Sequence, residues 1–67
     1  MMKETILSRV KLGDNREIRI LRIETGPGSM IRLGAHLLPE GAAMSGVTFP
    51  ENQLKAVIAA LREAQRA

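Results

Sequence analysis

The sequence predicts an α+β fold: a four-stranded antiparallel, curved β-sheet followed by one C-terminal helix, in the order ββββα and dimeric. Three observations lead there. Between Thr5 and Leu38, apolar and polar residues alternate in three successive runs separated by Gly-bearing turns. A short run, Gly46-Val47-Thr48-Phe49, then ends at Pro50. Beyond it, Leu54, Val57, Ile58 and Leu61 recur at helical spacing.

The first strand covers Thr5 to Leu12, with Ile6, Ser8, Val10 and Leu12 on one side and Leu7, Arg9 and Lys11 on the other. Gly13-Asp14-Asn15 supplies residues that tolerate the left-handed backbone a tight turn demands. The second strand covers Arg16 to Thr25. Ile18, Ile20 and Arg22 point one way and Arg19, Leu21 and Ile23 the other, so the apolar residues change faces partway. That pattern implies a bulge, a strong twist, or burial on both sides.

Gly26-Pro27-Gly28-Ser29 is the strongest breaker and joins this strand to the next. The third strand, Met30 to Leu38, sets Ile31, Leu33, Ala35 and Leu37 against Arg32, Gly34 and His36. Pro39 to Ser45 reads as a longer loop of small residues, and Gly46 to Phe49 as a short fourth strand. Pro50 suits the first helical position, where its missing N–H costs nothing. Glu51 complements a helix N-terminus and Arg62 and Arg66 the other end of a helix running to about Gln65. The helix's apolar stripe, extended by Ala64, is expected to cover one face of the sheet and leave the other free.

The 67 residues form a single domain, 1–67. A chain this short buries only about 60% of its unfolded surface, which leaves a lone core marginal. With no Cys there is neither a disulfide staple nor a thiolate zinc site. One His and seven scattered acids leave little for another metal cage, and no cofactor is implied. Stability must come from idealised packing or a second chain, and a homodimer is expected. No apolar run is long enough to span a membrane. Met1-Met2-Lys3-Glu4-Thr5 lacks the apolar stretch of a secretory signal, so the expected location is cytoplasmic.

The net charge of +3 is unevenly placed. Residues 1–38 hold seven cations against four acids, and residues 39–67 hold three against three, so the whole surplus lies on the strands. Seven of the ten cations are Arg, whose planar fork suits phosphate. Arg9, Lys11, Arg19 and Arg32 occupy alternating positions on three neighbouring strands, with Arg16 flanking them at the turn and Arg22 close by. A cationic sheet face of this kind is one way of holding single-stranded nucleic acid, normally with aromatic side chains stacking the bases. Phe49 is the only aromatic of the Phe, Tyr and Trp class, and its position before the helix suggests core. The alternative is a basic face that merely meets solvent.

Nothing in the sequence nominates an enzyme. His36 is the only His; Ser8, Ser29 and Ser45 lack a motif that would set them beside a base; and spacing nominates no pair of acids. His36 reads either as a half-exposed strand residue or as a contact to phosphate or a base. Gly26-Pro27-Gly28-Ser29 lacks the Lys and the following helix of a phosphate-binding loop and reads as an inter-strand turn.

Pro39-Glu40-Gly41, then Met44, then Gly46-Val47-Thr48-Phe49 and on through Gln53-Leu54, resembles the transcriptional coactivator family called positive cofactor four. That family has a Pro-Glu-Gly-like turn, a Met, Gly-Ile-Ser/Thr-Leu, and a helix carrying Gln and a large apolar residue. The likeness covers most of the chain and is sharp over about a dozen residues. It implies a dimer built through helices and strands, whose two curved sheets bind single-stranded or melted DNA and assist or regulate transcription. Arg9 and Lys11 match the family's basic first strand, and Arg22 matches an Arg late in the second. Arg32 lies on the third strand, away from the family's own cation there.

The departures are specific. The family's basic turn between strands two and three is here Glu24-Thr25-Gly26-Pro27-Gly28-Ser29, without Lys. Its aromatic pair on the third strand is here His36-Leu37, and the cations before its fourth strand are replaced by Ala42, Ala43 and Ser45. Each change removes a stacking or phosphate interaction. The expected partners are therefore single-stranded DNA, with RNA as the alternative, a second copy of the chain, and the transcription machinery. The expected binding residues are Arg9, Lys11, Arg16, Arg19, Arg22, Arg32 and His36. The competing reading is a non-enzymatic dimeric interaction module on the same fold that has lost nucleic-acid binding; an enzyme subunit is a distant third.

Overall fold

The computed structural model describes residues 2–67, and its elements follow the expected order. Strands β1 (Lys3–Leu12), β2 (Arg16–Thr25), β3 (Gly28–Leu37) and β4 (Ala42–Pro50) form one antiparallel meander in the order β1-β2-β3-β4. A single 3-10 turn, Glu51–Gln53, leads into helix α1, Leu54–Arg66. No helix among the described residues is long and apolar enough to cross a membrane.

The turns are chosen by backbone chemistry. Gly13 (φ +72°) and Gly41 (φ +79°) take the left-handed conformation that a β-carbon disfavours. Thr25 pairs with Gly28, so β2 and β3 are joined by only Gly26 and Pro27, and the Thr25 hydroxyl donates to the Gly28 carbonyl at 2.9 Å. The amide of Leu38 donates to the Asn15 carbonyl at 2.8 Å, tying the β3–β4 connection to the β1–β2 turn.

Three expectations need correction. The fourth strand begins at Ala42, so more than half of the expected loop Pro39–Ser45 is strand, with Ala42, Ala43 and Ser45 paired to β3. Register with β3, a non-local property, overrides the weak strand preference of these small residues. The bulge, one of three readings of the second strand, lies on its neighbour: β2, buried or half-buried on both sides from Glu17 to Ile23, pairs with β3 without interruption, while β1 shifts register between Ile6 and Ser8 and leaves Leu7 as an extra residue. The third correction concerns the helix. The sheet meets the helical segment chiefly through the 3-10 turn against β3, and α1 does not lie across the sheet.

Cross-strand partners share a face, so the register sorts the side chains. One face carries the rows Ser8–Ile20–Leu33–Val47 and Val10–Ile18–Ala35–Ser45, with Thr5–Arg22–Ile31–Phe49 at the end where the helix begins. Ile31, between Arg22 and Phe49, is the one fully buried hydrophobic side chain among the described residues. Elsewhere on this face Ile18, Ile20, Leu33 and Ala35 are half-buried and Val47 is 56% exposed, while on α1 Ile58 and Leu61 are 39% and 61% exposed. A shallow hollow on it is lined by Ile18, Leu33, Ala35 and Val47.

The molecule is flat, 37 × 34 × 16 Å, with a radius of gyration of 13.1 Å. A compact chain of this length is expected near 11 Å. Its accessible surface is 5171 Å², about 1,000 Å² above what monomers of this mass expose. That excess is close to the roughly 800 Å² each partner buries in a standard interface.

Candidate functional site

The opposite face of the sheet gathers the cations. Its rows are Ile6–Leu21–Arg32–Thr48, Arg9–Arg19–Gly34–Gly46 and Lys11–Glu17–His36–Ala43. Arg9, Lys11, Arg19, Arg32 and His36 therefore lie on one surface spanning three strands. The register shift at Leu7 matters here, because it sets Arg9 opposite Arg19 and Lys11 opposite Glu17.

Within this face the cations differ in availability. Arg19 donates through Nε to the Glu17 carboxylate two residues earlier on the same strand. Glu17 is buried, and the Arg19 hydrogen bond holds its carboxyl below the ordinary value of 4.5, helped by the charges of Arg19, Arg9 and His36 and opposed by burial. The Arg19 guanidinium also lies against Gly41: a β-carbon there would stand 2.8 Å from Nη2. Arg19 is thus partly neutralised and held in place. Arg9, Lys11 and Arg32 have no ion-pair partner among the described residues.

His36 lies beside the β3–β4 turn, its Nδ1 2.9 Å from the Gly41 carbonyl oxygen. A carbonyl only accepts, so Nδ1 carries the hydrogen. The other ring nitrogen, Nε2, is buried and has no hydrogen-bond partner. Gly34 and Gly46, opposite one another on β3 and β4, leave the sheet bare of side chains beside Arg32 and His36.

No match to this chain emerged from comparison with protein-family models, curated proteins or solved structures. The site's own chemistry is what bears on function.

Two of the seven expected binding residues lie elsewhere. Arg22 is on the apolar face and makes a two-pronged pair with Glu51, Nε to Oε1 at 3.0 Å and Nη2 to Oε2 at 3.1 Å. Ser29 Oγ donates to the same carboxylate at 2.6 Å. The Ser29 hydrogen bond, then that of Arg22, lowers the Glu51 carboxyl from its ordinary value. Arg22 is thus a latch between β2 and the start of the helical segment. Arg16, paired with Leu12 and Leu37, also faces the apolar side, next to the β1–β2 turn.

Glu17, Glu51 and the Gly34–Gly46 pair are not singled out as site residues by the sequence. Glu17 and Arg19, two apart on a strand, necessarily share a face, and that spacing is the signal that could have revealed their pair. The sequence places Glu51 at the helix N-terminus, but its partners on β2 and β3 depend on tertiary structure. Among the described residues, no group of three or more acids and histidines could hold a metal ion.

Proposed function

We propose that this chain is a homodimeric, non-enzymatic protein that binds single-stranded nucleic acid, DNA in the first instance, on the cationic face of its sheet, and that it serves transcription or DNA handling. The observation that carries the reading is the gathering of Arg9, Lys11 and Arg32, with Arg19 and His36, on one sheet face while the apolar surface lies on the other. A phosphate backbone draped over three adjacent strands meets a charge field there without touching the apolar side. The resemblance of residues 39–54 to the positive cofactor four coactivators favours DNA and transcription over other single-stranded partners.

Dimerisation completes the same picture. The excess accessible surface, the partly exposed apolar face and the exposed stripe of α1 belong together if a second copy covers them. Apolar surface then faces the partner and the cations face outward.

A second reading keeps the dimer and drops the nucleic acid. It is favoured by the Glu17–Arg19 pair, which removes one cation from the face, and by the lack of Phe, Tyr or Trp there. Titration of labelled single-stranded and duplex oligonucleotides at low and then higher salt separates the two. Saturable binding that prefers the single strand and weakens steeply with salt is expected. An absence of saturable binding at low salt would leave the interaction-module reading.

A further inference from the structure

We propose that Arg32 and His36, laid over the glycine pair Gly34 and Gly46, form a platform on which unpaired nucleobases stack. The inference rests on the single-strand reading above and identifies what part of the strand, besides phosphate, the face would recognise.

The geometry begins with the two glycines. They are direct cross-strand partners, and Gly34 is buried beneath its neighbours. A β-carbon on Gly34 would stand 3.1 Å from His36 Nε2 and 3.5 Å from Arg32 Nε; one on Gly46 would stand 3.4 Å from Arg32 Nε. The Arg32 side chain therefore crosses both glycines, and the edge of the His36 ring rests over one. The space that side chains would occupy is filled instead by two planar groups. Gly46 has a further reason to be glycine, since its β-carbon would meet the Leu33 carbonyl oxygen at 3.0 Å and Gly34 Cα at 3.3 Å.

One group is anchored and the other unpaired. The His36 ring is anchored at Nδ1 by the Gly41 carbonyl, and its Nε2 is buried against the sheet, so its polar edge is turned away from any ligand. Arg32 has no acidic partner among the described residues and remains half-exposed. Guanidinium planes and imidazole rings are both surfaces on which splayed bases stack. Every base offers a π-face and no base edge is read here, so the platform is sequence-tolerant. It also supplies the stacking that the absence of Phe, Tyr and Trp from this face removes.

The test compares an oligothymidylate of about twelve nucleotides, within the usual range of single-strand site sizes, with an abasic strand of the same length and phosphate count. Wild-type protein is expected to hold the base-bearing strand about five- to a hundredfold tighter. Arg32→Lys keeps the charge and removes the plane, so it should shrink that ratio towards unity while leaving the salt dependence of abasic binding unchanged. Gly34→Ala displaces the tips of His36 and Arg32 rather than backbone, and should act in the same direction. Circular dichroism establishes that each variant is folded. Equal wild-type binding of the two strands overturns the platform and leaves the single-strand reading standing. A base preference that survives both folded variants also overturns it. Failure to bind either strand at low salt overturns the single-strand reading and the platform with it.

Discussion

Leu61 offers the sharpest test of whether the apolar surfaces are covered by a second copy. It stands 61% exposed on α1, one turn beyond Ile58. If the monomer were the working state, Leu61→Ala would change stability by no more than about 0.5 kcal/mol, as surface substitutions generally do. Fully burying a Leu side chain is worth about 1.5–3 kcal/mol. The 61% still exposed then corresponds to about 1–2 kcal/mol per protomer. A twofold dimer uses the residue twice, so the variant should lose about 2–4 kcal/mol of association free energy, a rise of about thirtyfold to several-hundredfold in dimer Kd. The translational and side-chain ordering costs of association are shared by wild type and variant, so the difference survives even though area does not convert to absolute affinity. Sedimentation equilibrium over a protein concentration series measures both constants. A wild-type chain that stays monomeric throughout would refute the reasoning, as would a Leu61→Ala dimer whose Kd lies within about threefold of wild type.

Three further outcomes follow from the same structure. Arg9→Ala and Lys11→Ala should each flatten the dependence of log K on log salt by about 0.7 for every phosphate no longer neutralised, whereas Arg22→Ala should leave that slope alone and lower the melting temperature, because Arg22 is held by Glu51; an equal slope change in all three would show that the face assignment is wrong. Glu51, its carboxyl lowered by Ser29 and Arg22, contributes stability that is fully present above its ordinary value of 4.5 and lost as pH falls through its folded value. Acid melts of wild type and Glu51→Gln should therefore converge at low pH, and parallel curves down to strong acid would rule out this linkage. Deleting Leu7 removes the extra residue and lets Ser8 follow Ile6 in regular register, so Arg9 and Lys11 should stay opposite Arg19 and Glu17 and single-strand affinity should be retained; loss of binding in a folded deletion variant would count against the face assignment.

The alternation of Ile31, Leu33, Ala35 and Leu37 against Arg32, Gly34 and His36 is enough to establish β3, because a period of two has no other regular explanation. The helix is equally legible from Leu54, Val57, Ile58 and Leu61, although its first turn is 3-10 rather than α. Ala42 to Ser45 is not legible. Small residues carry little strand preference of their own, and that segment is a strand because β3 offers it a ladder. The shared side of Arg9 and Lys11, and the opposite sides of Arg19 and Arg22, follow from counting along single strands, but the union of Arg9 and Lys11 with Arg19 rests on the register shift after Ile6, and the Arg22 partner Glu51 lies 29 residues away. The platform is hidden for the same reason: Gly34 and Gly46 become neighbours only once the register between β3 and β4 is known.

One bulge decides which face of the sheet the cations Arg9 and Lys11 of β1 join. Up to Ile6, β1 pairs regularly with β2, and Ile6 lies opposite Leu21 on the face of Arg32. Continued without a bulge, that register would set Arg9 opposite Ile18 and Lys11 opposite Arg16, on the apolar face. Val10 would then fall among the cations, because a one-residue slip inverts every side chain beyond it. A bulge at the extra residue Leu7 absorbs the slip, so Val10 and Leu12 join Ile18 and Leu37 on the apolar side while Arg9 and Lys11 join Arg19. A bulge costs ladder hydrogen bonds and leaves a residue unpaired, and Leu7 is itself 43% exposed. Neither the ladder nor the burial of Leu7 favours the bulge over a slipped register. Separation of charge from apolar surface does: the bulge keeps Arg9 and Lys11 off the surface a second copy would cover and sets them beside Arg19 and Arg32, on the one that nucleic acid would meet.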